Sequence, residues 1–331
     1  MSRTISILKS SSIIKRHPAN PILTAQDVPY SSLLVFNAGV TKFNGKYIMV
    51  FRNDYGSIEE HQIENTNLGL AFSDDGIKWS VDPKPCLEIS DEEIICINDP
   101  RLTVIDNRCY ISFAVIGRHG VRGAIAFTDD FFNYEILYMS LPDNRNLVLF
   151  PEKINNKYVR LDRPFANYLR GQKDSFDIWM MDSPDLKYWG NSRLVLTAKD
   201  IPYCNNKIGP GPPPIKTEKG WLTIFHTVDV DSSRGKNGWE ECWDKRYCAG
   251  IMLLDLENPE KIIGLYKKPL LVPETSYETV GGFRNNVIFP CGMILEDSGE
   301  VKIYYGAADT VECVATADIN DLLNLCLPVE N

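Results

Sequence analysis

The chain has 331 residues, of which 44% are hydrophobic and 24% charged, and its formal net charge is -9. An acidic surplus argues against a nucleic-acid or anionic-membrane partner, since phosphate backbones and headgroups are bound by a basic excess. No run of about 18 apolar residues is present to span a bilayer, and four histidines without an HExxH-type pair speak against a zinc site.

The opening stretch, Met1 to Arg16, does not read as a secretory signal, because Lys9 and a serine cluster break its apolar run and no small-residue cleavage site follows. A cytoplasmic protein is expected. The nine cysteines, odd in number and without CxxC spacing, are expected to be free thiols that serve as small core residues. From Ala38 onward the sequence repeats itself. Ala38 to Phe51 (AGVTKFNGKYIMVF) reads as two strands around an Asn-Gly turn. Ala71 to Trp79 (AFSDDGIKW) reads as a tight turn in which Asp side chains take nearby backbone N–H groups and an aromatic ring plugs the turn. The pair recurs as Arg101 to Phe113 with Ala126 to Tyr134, then as Leu149 to Leu161 with Met181 to Trp189. It returns as Pro214 to His226 with Leu253 to Glu260, and as Val287 to Tyr305 with Ala315 to Leu322, the last two turns in weaker form. Tyr47, Tyr110, Tyr158, Trp221 and Tyr304 fall at matching places. Val228 to Tyr247 is an insertion, a lid or a contact surface, and Ile319 to Leu327 is a short helix candidate.

Five hairpins and five outer turns predict an all-β fold: a five-bladed β-propeller of four-stranded blades, with about 60 residues per blade and a central active-site channel. One catalytic domain is expected to span residues 1–331. A β-sandwich would not account for a fivefold recurrence of both motifs.

The first strand of each blade lines the channel of a propeller, and there the sequence is polar. Blade one offers Asn37, blade two Asn98, Asp99 and Arg101, and blade three Arg145, Asn146, Glu152 and Lys153. Blade four offers Lys207 before the run Gly209 to Pro214, and blade five Arg284, Asn285 and Asn286. Outgoing strands add Arg52, Asp54, Arg163, His226 and Asp309. Each has an ordinary structural explanation. Asn98-Asp99-Pro100 can start a strand, His226 can be a core histidine, Arg160 and Asp162 can form an ion pair, and Glu152 can pair with Lys153 on a rim. Their convergence on one topological position in five repeats favours a single shared site.

At these residues the chain resembles glycoside hydrolase family 130, the β-mannoside phosphorylases. The matching stretches are FNAGV (Phe36 to Val40), VFRNDY (Val50 to Tyr55), NDPRL (Asn98 to Leu102), FPEKINNKYVRLDRP (Phe150 to Pro164), IGPGPPP (Ile208 to Pro214), IFHTVD (Ile224 to Asp229) and YYGAADT (Tyr304 to Thr310). The resemblance implies an inverting phosphorolysis in which a β-mannoside and inorganic phosphate give α-mannose 1-phosphate and a shortened acceptor. Inverting hydrolysis needs a carboxylic acid and a carboxylate base; phosphate is already an anion, so an acid suffices. The resemblance gives that role to Asp99, its proton reaching the glycosidic oxygen through the mannose 3-hydroxyl, and a raised Asp99 pKa is expected from burial and nearby carboxylates. It places Arg145, Asn146, Arg163, Lys207, His226 and Tyr247 around phosphate, and Asn37, Arg52, Asp54, Arg101 and Asp309 around mannose. No metal or organic cofactor is implied, and homo-oligomers are.

Three other readings stand beside it. A β-mannoside hydrolase on this scaffold would use Glu152 as base. A non-catalytic sugar-binding propeller would repeat its site in each blade, whereas here the polar residues differ between blades. A protein-interaction propeller would carry hot spots on its rim and an inert channel.

Overall fold

The computed structural model describes residues 8–165, 176–240 and 242–326. Part of the N-terminal stretch, Glu241 of the insertion and Leu327 of the helix candidate lie outside the described residues.

A two-residue strand, β1 (Lys15–Arg16), comes first. Blade one follows as β2 (Leu34–Phe43), β3 (Lys46–Ser57), β4 (Gln62–Ser73) and β5 (Ser80–Val81). Blade two is β6 (Ile94–Ile105), β7 (Arg108–Gly117), β8 (Gly120–Thr128) and β9 (Glu135–Met139). Blade three is β10 (Asn144–Leu149), β11 (Tyr158–Pro164), β12 (Ile178–Ser183) and β13 (Gly190–Leu196). In blade four the inner position is shared by β14 (Lys207–Pro210) and β15 (Ile215–Thr217), both paired with β16 (Gly220–Val230), and β17 (Lys245–Leu254) and β18 (Ile262–Leu265) complete it. A single helical turn, α1 (Ser276–Thr279), leads to blade five, formed by β19 (Ile288–Leu295), β20 (Glu300–Ala307) and β21 (Val311–Asp318).

Blade five is completed differently from expectation. The turn after Asp318 opens the helix α2 (Ile319–Cys326) rather than an outer strand, and the fourth strand is β1, pairing Lys15 with Thr316 and Arg16 with Ala315. The beginning of the chain therefore closes the ring.

Strand side chains alternate between the two faces of a sheet, so a blade with both faces apolar packs on both neighbours. The core accordingly divides into wedges between blades. Val50, Leu70, Ile97 and Phe113 fill the gap between blades one and two, and Ile125, Leu147 and Leu149 the next. Phe150, Met180, Trp221 and Phe225 join blades three and four; Ile224, Ile251, Ile288 and Ile303 join four and five. Val35, Phe51, Tyr304 and Val314 join five to one. At the outer turns, Asp75 accepts the N–H groups of Ile77 and Lys78, Asp130 those of Phe132 and Asn133, and Asp185 those of Lys187 and Tyr188. Asp255 does the same for Glu257 and Asn258, and Asp318 for Asn320 and Asp321. The nine cysteines are free, with Cys242 exposed. Among the described residues no helix is long and apolar enough to cross a membrane.

Candidate active site

Three channel side chains owe their direction to the same device. The pairing of β2 with β3 slips between Phe36 and Gly39, that of β6 with β7 between Asn98 and Arg101, and that of β10 with β11 between Arg145 and Val148. Within these bulges Asn37, Asp99 and Asn146 adopt left-handed backbone, with φ of 55°, 53° and 59°. Asn and Asp tolerate this conformation better than other residues carrying a Cβ. A bulge also re-aims the side chain it carries, so the backbone demand and the polar channel are met by the same residue. Asp309 reaches in from the left-handed turn between β20 and β21, at φ 48°.

Together these residues wall a cavity of about 240 Å³. Asn37, Arg52, Asp99, Arg145, Asn146, Arg163, Lys207, Tyr247 and Asp309 line it. Both amide atoms of Asn146 and the Oδ1 of Asn37 are buried without a partner among the described residues, leaving polar capacity that a bound ligand would satisfy.

The other three expected residues stand behind the wall. Asp54 takes Arg52 Nε and Nη2, both at 2.7 Å, and the Thr66 hydroxyl at 2.6 Å. Arg101 donates to the carbonyls of Asp99, Pro100 and Gly211, tying the blade-two bulge to the proline-rich loop of blade four. His226 is fully buried with Nε2 3.3 Å from Arg163 Nη1, and Gly209 leaves room for its ring: a Cβ there would lie 2.5 Å from His226 Cε1. Burial, then the charges of Arg163 and Lys207, hold His226 neutral, so Nε2 accepts from Arg163. These three orient wall residues instead of facing the cavity.

Asp99 is buried between Asn37, whose Nδ2 donates to Oδ1 at 2.8 Å, and Arg145, whose Nη2 donates to Oδ2 at 2.5 Å. Arg52 lies 3.6 Å from Oδ1. Burial alone would raise its pKa, but Arg145, Arg52 and Arg101 overcome it, helped by Asn37, and hold it at about 2. The raised value expected from the sequence is thus corrected, because guanidinium groups surround Asp99 where carboxylates were anticipated. Arg52 itself is disfavoured by burial, yet Asp54 and Asp99 more than offset this and raise its pKa.

The basic side chains of the lining crowd like charge together. Burial, reinforced by Arg163, Arg145, Lys245 and Arg284, pulls Lys207 down to about 6. Arg163 is lowered by burial and then by Arg145. Tyr247 is pushed up to about 12, chiefly by burial, and stays a hydroxyl donor stacked beside Trp243. The lining brings five basic side chains together with two carboxyls, a charge balance suited to an anion.

Asn98, Arg284 and Phe289 also line the cavity. The first two were visible as channel polarity, but Phe289 carried no signal beyond strand hydrophobicity. Arg284 donates to Asp309 at 3.2 Å and to Glu240 of the insertion, and lies over the rings of Trp243 and Phe283. The insertion continues across to blade one, where Trp239 stacks on His61 with centroids 4.4 Å apart. Glu152 is half exposed and outside the cavity lining, paired with Lys216 instead of Lys153. Arg160 and Asp162 form a buried pair at 3.3 Å, with Arg160 between Tyr138 and Trp189.

A family model described as beta-1,4-mannooligosaccharide phosphorylase matches residues 10–327. A beta-1,4-mannooligosaccharide phosphorylase of Ruminococcus albus is 34% identical over 324 residues, covering 94% of this chain and 90% of that protein. A 1,2-beta-oligomannan phosphorylase of Thermoanaerobacter is 32% identical, covering 93% and 98%. The solved structure of the beta-1,2-mannobiose phosphorylase of Listeria innocua with beta-1,2-mannobiose superposes with a TM-score of 0.80 at 28% identity, covering 95% and 99%.

Proposed function

The chain belongs to glycoside hydrolase family 130, and from that premise we propose that it is an inverting β-mannoside phosphorylase. It takes a β-mannoside and inorganic phosphate to α-mannose 1-phosphate and the shortened acceptor. A phosphate oxygen bonds to the anomeric carbon as the glycosidic C–O bond breaks on the opposite face, and the departing oxygen receives a proton from Asp99 through the mannose 3-hydroxyl. The observation that carries this reading is the meeting of Asp99 with a cluster of basic side chains in one cavity. Arg145, Arg163 and Lys207 suit a phosphate dianion, and Arg52 and Asp309 suit sugar hydroxyls.

Asp99 can donate a proton only after its pKa rises, and the shared guanidinium offers the means. Arg145 binds Asp99 and also lines the cavity assigned to phosphate. A dianion there competes for Arg145 and cancels part of the positive field on Asp99. The acid is then armed when the nucleophile is bound. The hydrolase reading is less favoured, since Glu152, its base, is outside the cavity lining and paired with Lys216. Inorganic phosphate is a co-substrate, and the scheme calls on no metal or organic cofactor. Keeping bond energy as a sugar phosphate serves a cell when the product stays inside, which supports a cytoplasmic enzyme; a homo-oligomer is supported by the family resemblance alone.

The test is synthesis from α-mannose 1-phosphate with mannose, glucose or N-acetylglucosamine, following phosphate release and assigning the product linkage by NMR. Release that depends on acceptor is expected. Asp99→Asn should lower turnover by about 10²-fold or more, whereas Asp309→Asn should mainly raise the Michaelis constant for sugar. Phosphate-independent cleavage of mannobioses without synthesis would overturn the reading.

A further inference from the structure

Glu312 is fully buried on β21 and has no part in the scheme above. Burial raises its pKa well above the ordinary value, against the opposing pull of the Ala38 N–H, Arg101 and the Asn37 N–H. Its Oε2 accepts the Ala38 N–H at 3.1 Å. Ala38 lies within the slip of the β2–β3 ladder between Phe36 and Gly39, so the carboxyl serves an N–H in a segment where the regular pairing is interrupted.

Gly306, the cross-strand partner of Glu312 on β20, meets the same segment from beside it. A Cβ at Gly306 would lie 2.2 Å from Asn37 Oδ1 and 2.8 Å from the Asn37 backbone nitrogen. Asn37 is thus held in its left-handed conformation between a carboxyl that takes the next N–H and a glycine that leaves room for the amide. From there its Nδ2 reaches Asp99 Oδ1 at 2.8 Å.

We propose that Glu312 and Gly306 are positioning residues: a cradle on blade five that aims Asn37 of blade one and, through it, the carboxyl of Asp99. The proposal rests on the reading of Asp99 as the acid. Neither residue touches the cavity, and both act across the seam between the first and last blades. A small misplacement of a reacting group can cost about 10²-fold in rate, which is the route by which a residue behind the wall controls turnover.

The experiment is a double-mutant cycle in the synthesis assay with α-mannose 1-phosphate and the best acceptor, with thermal unfolding recorded for every variant. Wild-type turnover is the control for the underlying reading: without it the phosphorylase assignment fails, and the cradle is judged only where wild type turns over. Glu312→Ala and Gly306→Ala are each expected to lower kcat by about 10-fold to 100-fold with a smaller change in KM. In an Asn37→Ala background the same substitutions should change kcat by less than about twofold, because the link they act through is gone. Glu312→Gln, which keeps an acceptor for the Ala38 N–H, should restore most of the kcat lost in Glu312→Ala. Equal kcat losses in both backgrounds, or a Glu312→Gln as impaired as Glu312→Ala, would overturn the proposal. If Glu312→Ala does not fold, Gly306→Ala decides by the same comparison.

Discussion

Lys207 meets phosphate, in the proposed scheme, with its charge largely removed. Burial is the leading cause, followed by Arg163, Arg145, Lys245 and Arg284, and the resulting pKa is about 6. At neutral pH Lys207 is therefore mostly the free amine. A bound dianion reverses the sign of the local field and favours the ammonium. Binding must then take up protons above the free-site pKa, and uptake must fade below it, where the ammonium is already formed. Titration calorimetry with sulfate, a dianion that does not itself titrate in this range, tests this in buffers of different ionisation enthalpy. At about pH 7.5 Lys207 is expected to contribute up to about one proton of uptake, and Lys207→Arg should remove that share because arginine stays charged. Heats independent of buffer in the wild type would show that Lys207 is already charged in the free site. In the proposed scheme Asp99 responds to the same field in the same direction, its pKa starting at about 2 and rising as the anion draws on Arg145.

The outer turns show how a local element becomes a stability term with a pH signature. Asp130 accepts the N–H groups of Asn133 and Phe132, the two leading causes of a pKa near 2, and the Asn133 side chain adds a further bond. Its folded pKa lies below the unfolded value of about 3.9. The stabilisation is present above the unfolded pKa and is lost as pH falls toward the folded one. Asp130→Ala should therefore unfold at lower urea than the wild type at neutral pH, and the gap between their midpoints should narrow below about pH 4. A gap that keeps its size down the acid limb would mean the carboxylate contributes little. These turns were legible in the sequence because donor and acceptor lie two or three residues apart. The bulges were legible only in part: Asn37, Asp99 and Asn146 stood out as polar, but the slip that aims them depends on partner strands. Spacing could not separate Arg52 at the wall from Asp54 behind it, since their burial is decided by blade packing. Nor could it give the pKa of Asp99, whose governing charge, Arg145, comes from the next blade.

At the scale of the molecule the weak point of a closed ring is the seam where it is closed. Here β1 supplies two residues to β21, a pairing too short to show any hydrophobic period in the sequence. Arg16 reinforces it: Nε and Nη2 bind the two oxygens of buried Glu278 at 2.7 and 3.0 Å, Nη2 also reaches the Val272 carbonyl at 2.6 Å, and Nη1 reaches Glu274 at 3.0 Å. Removing one partner of a buried pair leaves the other uncompensated, so Arg16→Ala should cost about 3 kcal/mol, while the exposed Lys15→Ala should cost less than about 0.5 kcal/mol. The consequence reaches the cavity. β21 also carries Glu312, whose backbone bonds to Ile22 and Leu23, and the boundary between blades five and one runs between Asp309 and Asn37. In the wild type, activity and tryptophan fluorescence should be lost together with urea, as one cooperative transition. In Arg16→Ala the seam should open before the remaining blades unfold, so activity should disappear at lower urea than the fluorescence change. Coincident curves in the variant would mean that the five interblade wedges hold the ring without the N-terminal strand.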